Sequence, residues 1–132
     1  MILGVGLDIV EIKRIQDSVE KFQDKFEKRI FTDFEIETSK KFSHLQKKYS
    51  YFAKRFAAKE AFSKAIGLGI GRGIEFVDIE IKNDKSGKPI IKLSQKAEIF
   101  LKKHFQNSNF KIDLSLTDEK EIAQAIVIIS KI

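Results

Sequence analysis

The sequence predicts an α+β fold: a single compact domain with a mainly antiparallel sheet and a long central helix. Segments near both ends alternate apolar and polar residues, whereas the middle of the chain has helical spacing. A chain of 132 residues is long enough to bury roughly two-thirds of its unfolded surface. Since no linker, repeat or low-complexity tract divides the chain, residues 1–132 are interpreted as one domain.

The first strand is predicted over residues 1–10, where the larger apolar side chains share one face: Leu3, Val5, Leu7 and Ile9. Asp8 therefore lies opposite the main apolar face, beside Gly4 and Gly6. Glycines at these positions leave room for a backbone or a ligand, although tight packing alone is the commoner reason for them.

Helical spacing follows from about residue 11 to residue 48, with Phe22, Phe26 and Ile30 four residues apart. The sequence from Thr32 to Glu35 resembles a capping box, so a new helix is expected to begin there. Several short helices are predicted in this part of the chain.

The longest helix is predicted over residues 49–66, and at about 100° per residue it has two sides. One side is rich in alanine and can pack closely. The other carries two ammonium groups, a hydroxyl and a carboxylate: Lys59, Glu60, Ser63 and Lys64. Phe52 and Phe56 lie between these polar residues, which favours a partly enclosed site over an ordinary Glu60–Lys64 surface pair.

Glycines follow this helix from residue 67 to residue 73, where they can end it but match neither GxGxxG nor a Walker A motif. Beyond them, strands are predicted around residues 77–81, 90–93 and 112–116, with a turn at 83–89 and a helix from Ser94 to about Phe105. Residues 122–129 are apolar on both faces, which places them in the middle of a sheet or in a subunit interface.

The net charge of +6 is concentrated in the middle of the chain. Residues 38–72 contain nine lysines and arginines and a single carboxylate, Glu60. Such a segment suits a ligand with several negative charges, and its one carboxylate could hold a divalent cation against a bound polyphosphate.

Other classes of chemistry gain no support from the composition. The absence of cysteine excludes disulfides and thiolate catalysis. The sequence has no signal-peptide pattern and no apolar run of the roughly 18 residues that span a membrane, so a soluble cytoplasmic protein is expected.

Four segments together resemble the holo-acyl-carrier-protein synthases, in order and over nearly the whole chain. They are residues 6–12 (GLDIVEI), 29–32 (RIFT) with Glu35, 55–65 (RFAAKEAFSKA), and 78–81 (DIEI) followed by 87–89 (GKP). The third is the most specific of them.

This resemblance implies a 4′-phosphopantetheinyl transferase-like fold and a defined reaction. Coenzyme A donates 4′-phosphopantetheine to a serine of an apo acyl carrier protein, giving holo acyl carrier protein and adenosine 3′,5′-bisphosphate for fatty acid biosynthesis. Mg²⁺ is implied as the cofactor, and a homotrimer with active sites between subunits as the assembly.

The resemblance also implies roles for individual residues. Asp8 and Glu60 match the metal ligands, and Glu60 and Lys64 the catalytic positions. The positions expected near coenzyme A are Arg55, Lys59, Ser63, Lys64, Gly87, Lys88 and Pro89. Basic positions for docking the acidic carrier are matched by Arg14, Lys21, Lys25 and Arg29.

Mg²⁺ is commonly bound by one or two carboxylates together with substrate phosphates, so the chemistry of these two residues agrees with the implied site. The acceptor serine must lose a proton, and either Glu60 or a metal-bound water is a suitable base. One position departs from the family pattern: Asp118 occupies a place where a histidine is usual, and an aspartate there repels a nearby phosphate unless it turns away or binds a cation.

A small basic nucleic-acid-binding module is the alternative from another class, motivated by the pI near 9.4 and the twelve phenylalanines. It does not account for Asp8 or Glu60. A third possibility, an inactive subunit that only binds an acyl carrier protein, does not account for Asp8, Glu60 and Lys64 together.

Overall fold

The computed structural model describes all residues from 1 to 132 and has five helices, five strands and one 3₁₀ turn. The helices are α1 (Ile12–Phe22), α2 (Asp24–Ile30), α3 (Asp33–Ser39), α4 (Leu45–Ile66) and α5 (Gln95–His104). The strands are β1 (Ile2–Glu11), β2 (Ile79–Asn83), β3 (Pro89–Leu93), β4 (Phe110–Glu119) and β5 (Ile122–Lys131). The α+β class, the antiparallel sheets and the long helix are confirmed.

The strands form two antiparallel sheets, one of three strands in the order β1-β5-β4 and one made of the β2–β3 hairpin. The central strand β5 is hydrogen-bonded on both edges, because Val127 pairs with Gly6 of β1 and with Leu114 of β4. The apolar character of β5 on both faces therefore indicated a strand in the middle of a sheet.

Helix α4 packs against β1 and β5 at a very short distance from the β1 backbone. A side-chain carbon at Gly4 would overlap the carbonyl of Ala65, and one at Gly6 would overlap the carbonyl of Ala61. The two glycines of β1 therefore permit close approach of a helix backbone. This contact fixes Asp8, two residues further along the same face, beside α4.

Three short helices connect β1 to α4, and α3 begins at a side-chain cap. Thr32 and Glu35 form the predicted capping box of α3, with side chain and backbone bonded in both directions. Helix α4 ends at Gly67, which has a left-handed conformation with φ of 78°. Ser94 caps α5 by accepting a hydrogen bond from the Ala97 amide.

Strand β2 begins later than the sequence pattern predicts. Residues Phe76–Asp78 form a 3₁₀ turn, and Val77 is exposed. Asp78 holds the turn by accepting hydrogen bonds from the amide of Glu75 and the hydroxyl of Ser94. The alternation of apolar residues did not distinguish this turn from the first residues of a strand, so the strand prediction at Val77 was wrong.

The outer face of the three-stranded sheet remains apolar and uncovered along β1 and part of β5. Val5, Leu7 and Ile9 are 54%, 52% and 56% exposed, and Ile126 of β5, which pairs with Leu7, is also exposed. The larger apolar face of β1 is thus the one facing away from α4. An uncovered apolar sheet face of this kind is typical of an association surface.

Candidate active site

Asp8 and Lys64 form a pair where β1 crosses α4. The Lys64 ammonium donates to Asp8 Oδ1 at 3.1 Å and to the Leu7 carbonyl at 3.0 Å. The Lys64 side chain is 54% exposed, whereas that of Asp8 is 16% exposed. The carboxylate is therefore held in a fixed position while the ammonium remains open to solvent and to a ligand.

Glu60 lies on the same side of α4, one helical turn before Lys64, and is partly buried. Burial raises the pKa of the Glu60 carboxyl, and the negative charge of Asp8 raises it further. Lys64 and Arg14 oppose this shift in pKa because their positive charges favour the carboxylate. The two carboxylates are thus close enough to repel each other between two cations.

Arg14 belongs to this site although the sequence placed it among the docking residues. Its guanidinium carbon lies 5.8 Å from the centroid of the Phe56 ring, one turn before Glu60 on α4. No sequence spacing linked α1 to this side of α4, so only the packing of the two helices identifies it. We call Asp8, Arg14, Glu60 and Lys64 the acid–base cluster.

Lys59 does not join this cluster, although the sequence predicted it near coenzyme A. Its ammonium is completely buried and donates to Glu35 Oε1 at 2.7 Å, to the Ile30 carbonyl at 2.7 Å and to the Phe76 carbonyl at 3.2 Å. All three ammonium donors have protein acceptors, so none is left for a phosphate. The interpretation of Lys59 as one of four polar residues facing one surface was therefore wrong.

Ser63 is also buried, and its hydroxyl donates to the Glu60 carbonyl at 2.7 Å. This bond to the preceding turn of α4 is common for serine within helices. Phe52, which the sequence placed beside the polar residues, is a core residue stacked on Phe31 with ring centroids 4.3 Å apart.

A second feature is a cavity of about 490 Å³ between α3, the first half of α4 and β2. Its lining contains five cations and no carboxylate; the residues are Phe34, Thr38, Lys41, Phe42, Lys47, Tyr51, Lys54, Arg55, Lys82 and Asn83. We call this cavity the basic pocket. Of the predicted site residues it contains Arg55.

Arg55 is buried at the wall of the basic pocket, with its guanidinium carbon 4.0 Å from the centroid of the Tyr51 ring. One guanidinium nitrogen donates to Asn83 Oδ1 at 2.9 Å, and Arg55 Nε is buried without a hydrogen-bond partner. A buried donor without a partner is unusual in a folded protein.

Asn83 connects this pocket to the predicted turn at residues 87–89, because its amide nitrogen donates to the Gly87 carbonyl at 3.2 Å. The turn itself is held by Asp84, whose Oδ1 accepts from the Lys88 amide at 3.0 Å. The structure therefore brings Arg55 and the turn together through Asn83, which the sequence did not identify. A side-chain amide next to a turn gives no distinctive signal in a single sequence.

The basic pocket and the acid–base cluster occupy different sides of α4. Arg55 and Glu60 are five residues apart, which corresponds to about 140° around a helix. A single copy of the chain thus presents the two features in different directions.

Asp118 lies beside the basic pocket and binds a cation of the protein itself. Its Oδ1 is 3.4 Å from the ammonium of Lys54, a residue of the pocket lining. The sequence left open whether this carboxylate turns away from a phosphate or binds a cation, and in the structure it binds a cation.

The predicted docking residues are all exposed and occupy two successive helices: Arg14 and Lys21 on α1, and Lys25 and Arg29 on α2. Arg14 and Lys21 are two turns apart on one face of α1.

No helix of the structure is both long and apolar enough to cross a membrane.

With this geometry in place, comparison with known proteins identifies the family. Residues 4–126 match the family described as ACPS: 4′-phosphopantetheinyl transferase superfamily, and the chain belongs to it. A curated relative, the holo-[acyl-carrier-protein] synthase of Ehrlichia chaffeensis, is 44% identical over 129 residues, which cover 98% of this chain and 97% of the relative.

Solved structures agree with the family assignment. The crystal structure of a holo-[acyl-carrier-protein] synthase from Neisseria meningitidis superposes with a TM-score of 0.89 at 37% identity, covering 99% of this chain and 100% of the other. A holo-(acyl-carrier-protein) synthase from Bacillus anthracis in complex with CoA (3′,5′-ADP) has a TM-score of 0.78 at 40% identity, covering 98% and 96%. The predicted family and its transferase fold are confirmed.

Proposed function

We propose that this chain is a holo-acyl-carrier-protein synthase, with residues 1–132 forming one transferase domain. It transfers 4′-phosphopantetheine from coenzyme A to a serine of an apo acyl carrier protein and releases adenosine 3′,5′-bisphosphate. The observation that carries this proposal is the convergence of Asp8, Glu60 and Lys64 on one side of α4 in a chain of this superfamily.

Asp8 and Glu60 are the proposed holders of a Mg²⁺ ion. Two carboxylates close enough to raise the pKa of one of them provide the hard oxygen ligands that this ion prefers. The chain has no group of three or more His, Cys, Asp or Glu side chains suited to a metal ion, so waters and phosphate oxygens of the substrate would complete the coordination. A bound Mg²⁺ would neutralise the charge of the pyrophosphate.

The remaining residues of the acid–base cluster act on the phosphoryl group and on the serine. Transfer breaks the pyrophosphate P–O bond, forms the bond from the serine oxygen to phosphorus, and releases the serine proton. Lys64 and Arg14 stabilise the negative charge that develops on the phosphate oxygens. Glu60 or a metal-bound water is the proposed acceptor of that proton.

The basic pocket is the proposed site for the nucleotide part of coenzyme A. Its lining of five cations suits phosphate groups. The turn with Gly87, Lys88 and Pro89 is proposed to border the nucleotide, because Asn83 connects it to Arg55. Lys59 and Ser63 do not line this pocket.

The carrier protein is proposed to dock on α1 and α2. An acyl carrier protein is acidic, and Arg14, Lys21, Lys25 and Arg29 place four exposed cations on these helices. Complementary charge of this kind mainly raises the association rate and fixes orientation. Arg14 belongs to the acid–base cluster as well, so a carrier bound there has its serine near the metal ligands.

A homotrimer with active sites between subunits is the proposed assembly. The uncovered apolar face with Val5, Leu7 and Ile9 provides an association surface. Since the basic pocket and the acid–base cluster point in different directions on one copy, contact between copies would allow the pocket of one subunit to face the cluster of the next. The proposed setting is fatty acid biosynthesis in the cytoplasm.

The proposal is tested by incubating the purified protein with coenzyme A, Mg²⁺ and an apo acyl carrier protein, and measuring the carrier mass with and without EDTA. We expect a phosphopantetheine-sized gain that disappears with the chelator. Asp8→Asn and Glu60→Gln should each slow transfer by about a hundredfold or more while the melting temperature stays within about 5 °C.

Glu98→Gln is the matched control, because Glu98 is an exposed carboxylate on α5 outside both features, and its rate should equal that of the wild type. Full activity of Asp8→Asn or Glu60→Gln would exclude the proposed metal site. Salt-sensitive nucleic-acid binding with no mass gain would favour the basic binding module instead.

A further inference from the structure

The five cations of the basic pocket differ in how far they are neutralised by the protein. Lys41 and Lys47 make no ion pair, and Arg55 is hydrogen-bonded to the neutral Asn83. Lys82 lies 3.6 Å from Glu80 Oε2 and 4.5 Å from the Phe34 ring centroid. Lys54 is paired with Asp118.

The Lys54–Asp118 pair differs from the Lys82–Glu80 pair in how its carboxylate is held. Glu80 lies two residues from Lys82 on β2 and also accepts a hydrogen bond from the Thr32 hydroxyl at 2.6 Å. Asp118 comes from β4 in the other sheet, and no other polar group binds its carboxylate. Asp118 is therefore an acidic group that reaches the pocket rim from a distant part of the chain and is bound there only by Lys54.

We propose that Asp118 sets the affinity of the basic pocket by competing with ligand phosphates for Lys54. An incoming phosphate must replace the Asp118 carboxylate at the Lys54 ammonium and must also approach that carboxylate, which repels it. Both effects weaken binding of an adenosine bisphosphate and accelerate its release after transfer. This inference rests on the proposed function, since it assumes that the pocket accepts the nucleotide.

The size of the effect follows from the exposure of the pair. Lys54 and Asp118 are 28% and 39% exposed, so solvent screens their interaction. Pairs of this kind are weak, and we expect removal of the carboxylate to tighten nucleotide binding about fivefold.

The test is calorimetric titration of adenosine 3′,5′-bisphosphate into wild type and Asp118→Asn in EDTA. Asp17→Asn is the matched control: it raises the net charge by the same unit and breaks an exposed pair with Lys13, but lies on α1 outside the pocket. Asp118→Asn should lower Kd about fivefold, and Asp17→Asn should leave it unchanged.

A double-mutant cycle identifies the partner. In a Lys54→Met background, the change from Asp118 to Asn should lower Kd less, because the competition for Lys54 has been removed and only the repulsion of the phosphate by Asp118 remains. The single variant Asp118→Asn should also be inhibited more strongly by the bisphosphate product. Its inhibition constant should be lower than that of the wild type by the same factor as its Kd. These results, with melting temperatures close to that of the wild type, would support the inference.

Two results would overturn it in distinguishable ways. If wild type binds the bisphosphate and Asp118→Asn binds it equally or more weakly, Asp118 does not compete for Lys54, while the proposed pocket stands. If wild type and Asp118→Asn both fail to bind the bisphosphate, the nucleotide pocket of the proposed function is wrong and the inference is rejected with it.

Discussion

Two lysines of α4, each paired with a carboxylate from another element, differ in burial and therefore in the role they can have. Lys59 pairs with Glu35 at 2.7 Å and Lys64 pairs with Asp8 at 3.1 Å. Both side chains of the first pair are completely buried, whereas Lys64 is 54% exposed. The Lys59 ammonium has no donor left and neither charge of the first pair is accessible to a ligand, while the second pair keeps its ammonium accessible.

The buried pair connects parts of the chain that are distant in sequence. Glu35 accepts hydrogen bonds from Lys59, from the Thr32 amide and from the Ile81 amide, and thereby joins α3, α4 and β2. Burial lowers the pKa of Lys59, and the Glu35 charge opposes that shift by favouring the ammonium. A buried charge without its partner is costly, so each member of the pair depends on the other.

The largest effect is expected from breaking the buried pair. Lys59→Met should lower the free energy of unfolding by about 3–5 kcal/mol, because it leaves the Glu35 carboxylate buried without its counter-charge. Urea denaturation measures this change. The double variant Lys59→Met with Glu35→Leu should recover part of the loss, since neither charge then remains buried. A loss below about 1 kcal/mol for Lys59→Met would contradict the assigned role.

A smaller effect, on activity and not on folding, is expected at the open pair. Lys64→Ala should slow transfer about a hundredfold because it removes a charge that stabilises the transferring phosphoryl group. The free energy of unfolding should change by less than about 1 kcal/mol, since the ammonium is mostly exposed. The measurements are the transfer rate and urea denaturation, with the exposed Lys103→Ala on α5 as control. Equal rates for the two variants would remove Lys64 from the catalytic site.

The smallest effect concerns the pH dependence of Glu60 in metal-free protein. Its raised pKa means that the folded protein holds this proton more tightly than the unfolded chain does. Below the pKa of the unfolded chain the Glu60 carboxyl is protonated in both states, so its ionisation does not change the stability. Its unfavourable contribution grows as the pH rises from that value through the folded pKa.

Residue-resolved NMR titration of the Glu60 carboxyl measures this pKa directly. Asp8→Asn should lower the pKa because it removes the neighbouring negative charge, whereas Lys64→Met should raise it. Glu98 provides a reference carboxyl on α5. An unchanged Glu60 pKa in Asp8→Asn would show that the two carboxylates are not coupled.

Much of the fold followed from local patterns. The capping box at Thr32, the glycine that ends α4 and the Ser94 cap of α5 were predicted because each depends on residues within one helical turn. The start of β2 was misplaced, because the same apolar residues fit a strand and the 3₁₀ turn that Asp78 stabilises.

The site was predictable to the extent that it depends on one helix and one strand. Asp8, Glu60 and Lys64 converge because Gly4 and Gly6 allow β1 to lie close to α4. Lys59 was misassigned because a helical wheel gives the direction of a side chain but not what covers it. The covering residue, Glu35, lies 24 positions away in the sequence.

Short-range patterns and specific motifs were enough to predict the fold class, the family and the three residues of the proposed transfer chemistry. Which charges are accessible depends instead on tertiary contacts. The tertiary structure placed Lys59 in the core, brought Arg14 to Glu60, linked Asn83 to Arg55 and paired Asp118 with Lys54. The physical reason is that burial and pairing of a charge depend on contacts between residues that are distant in the chain.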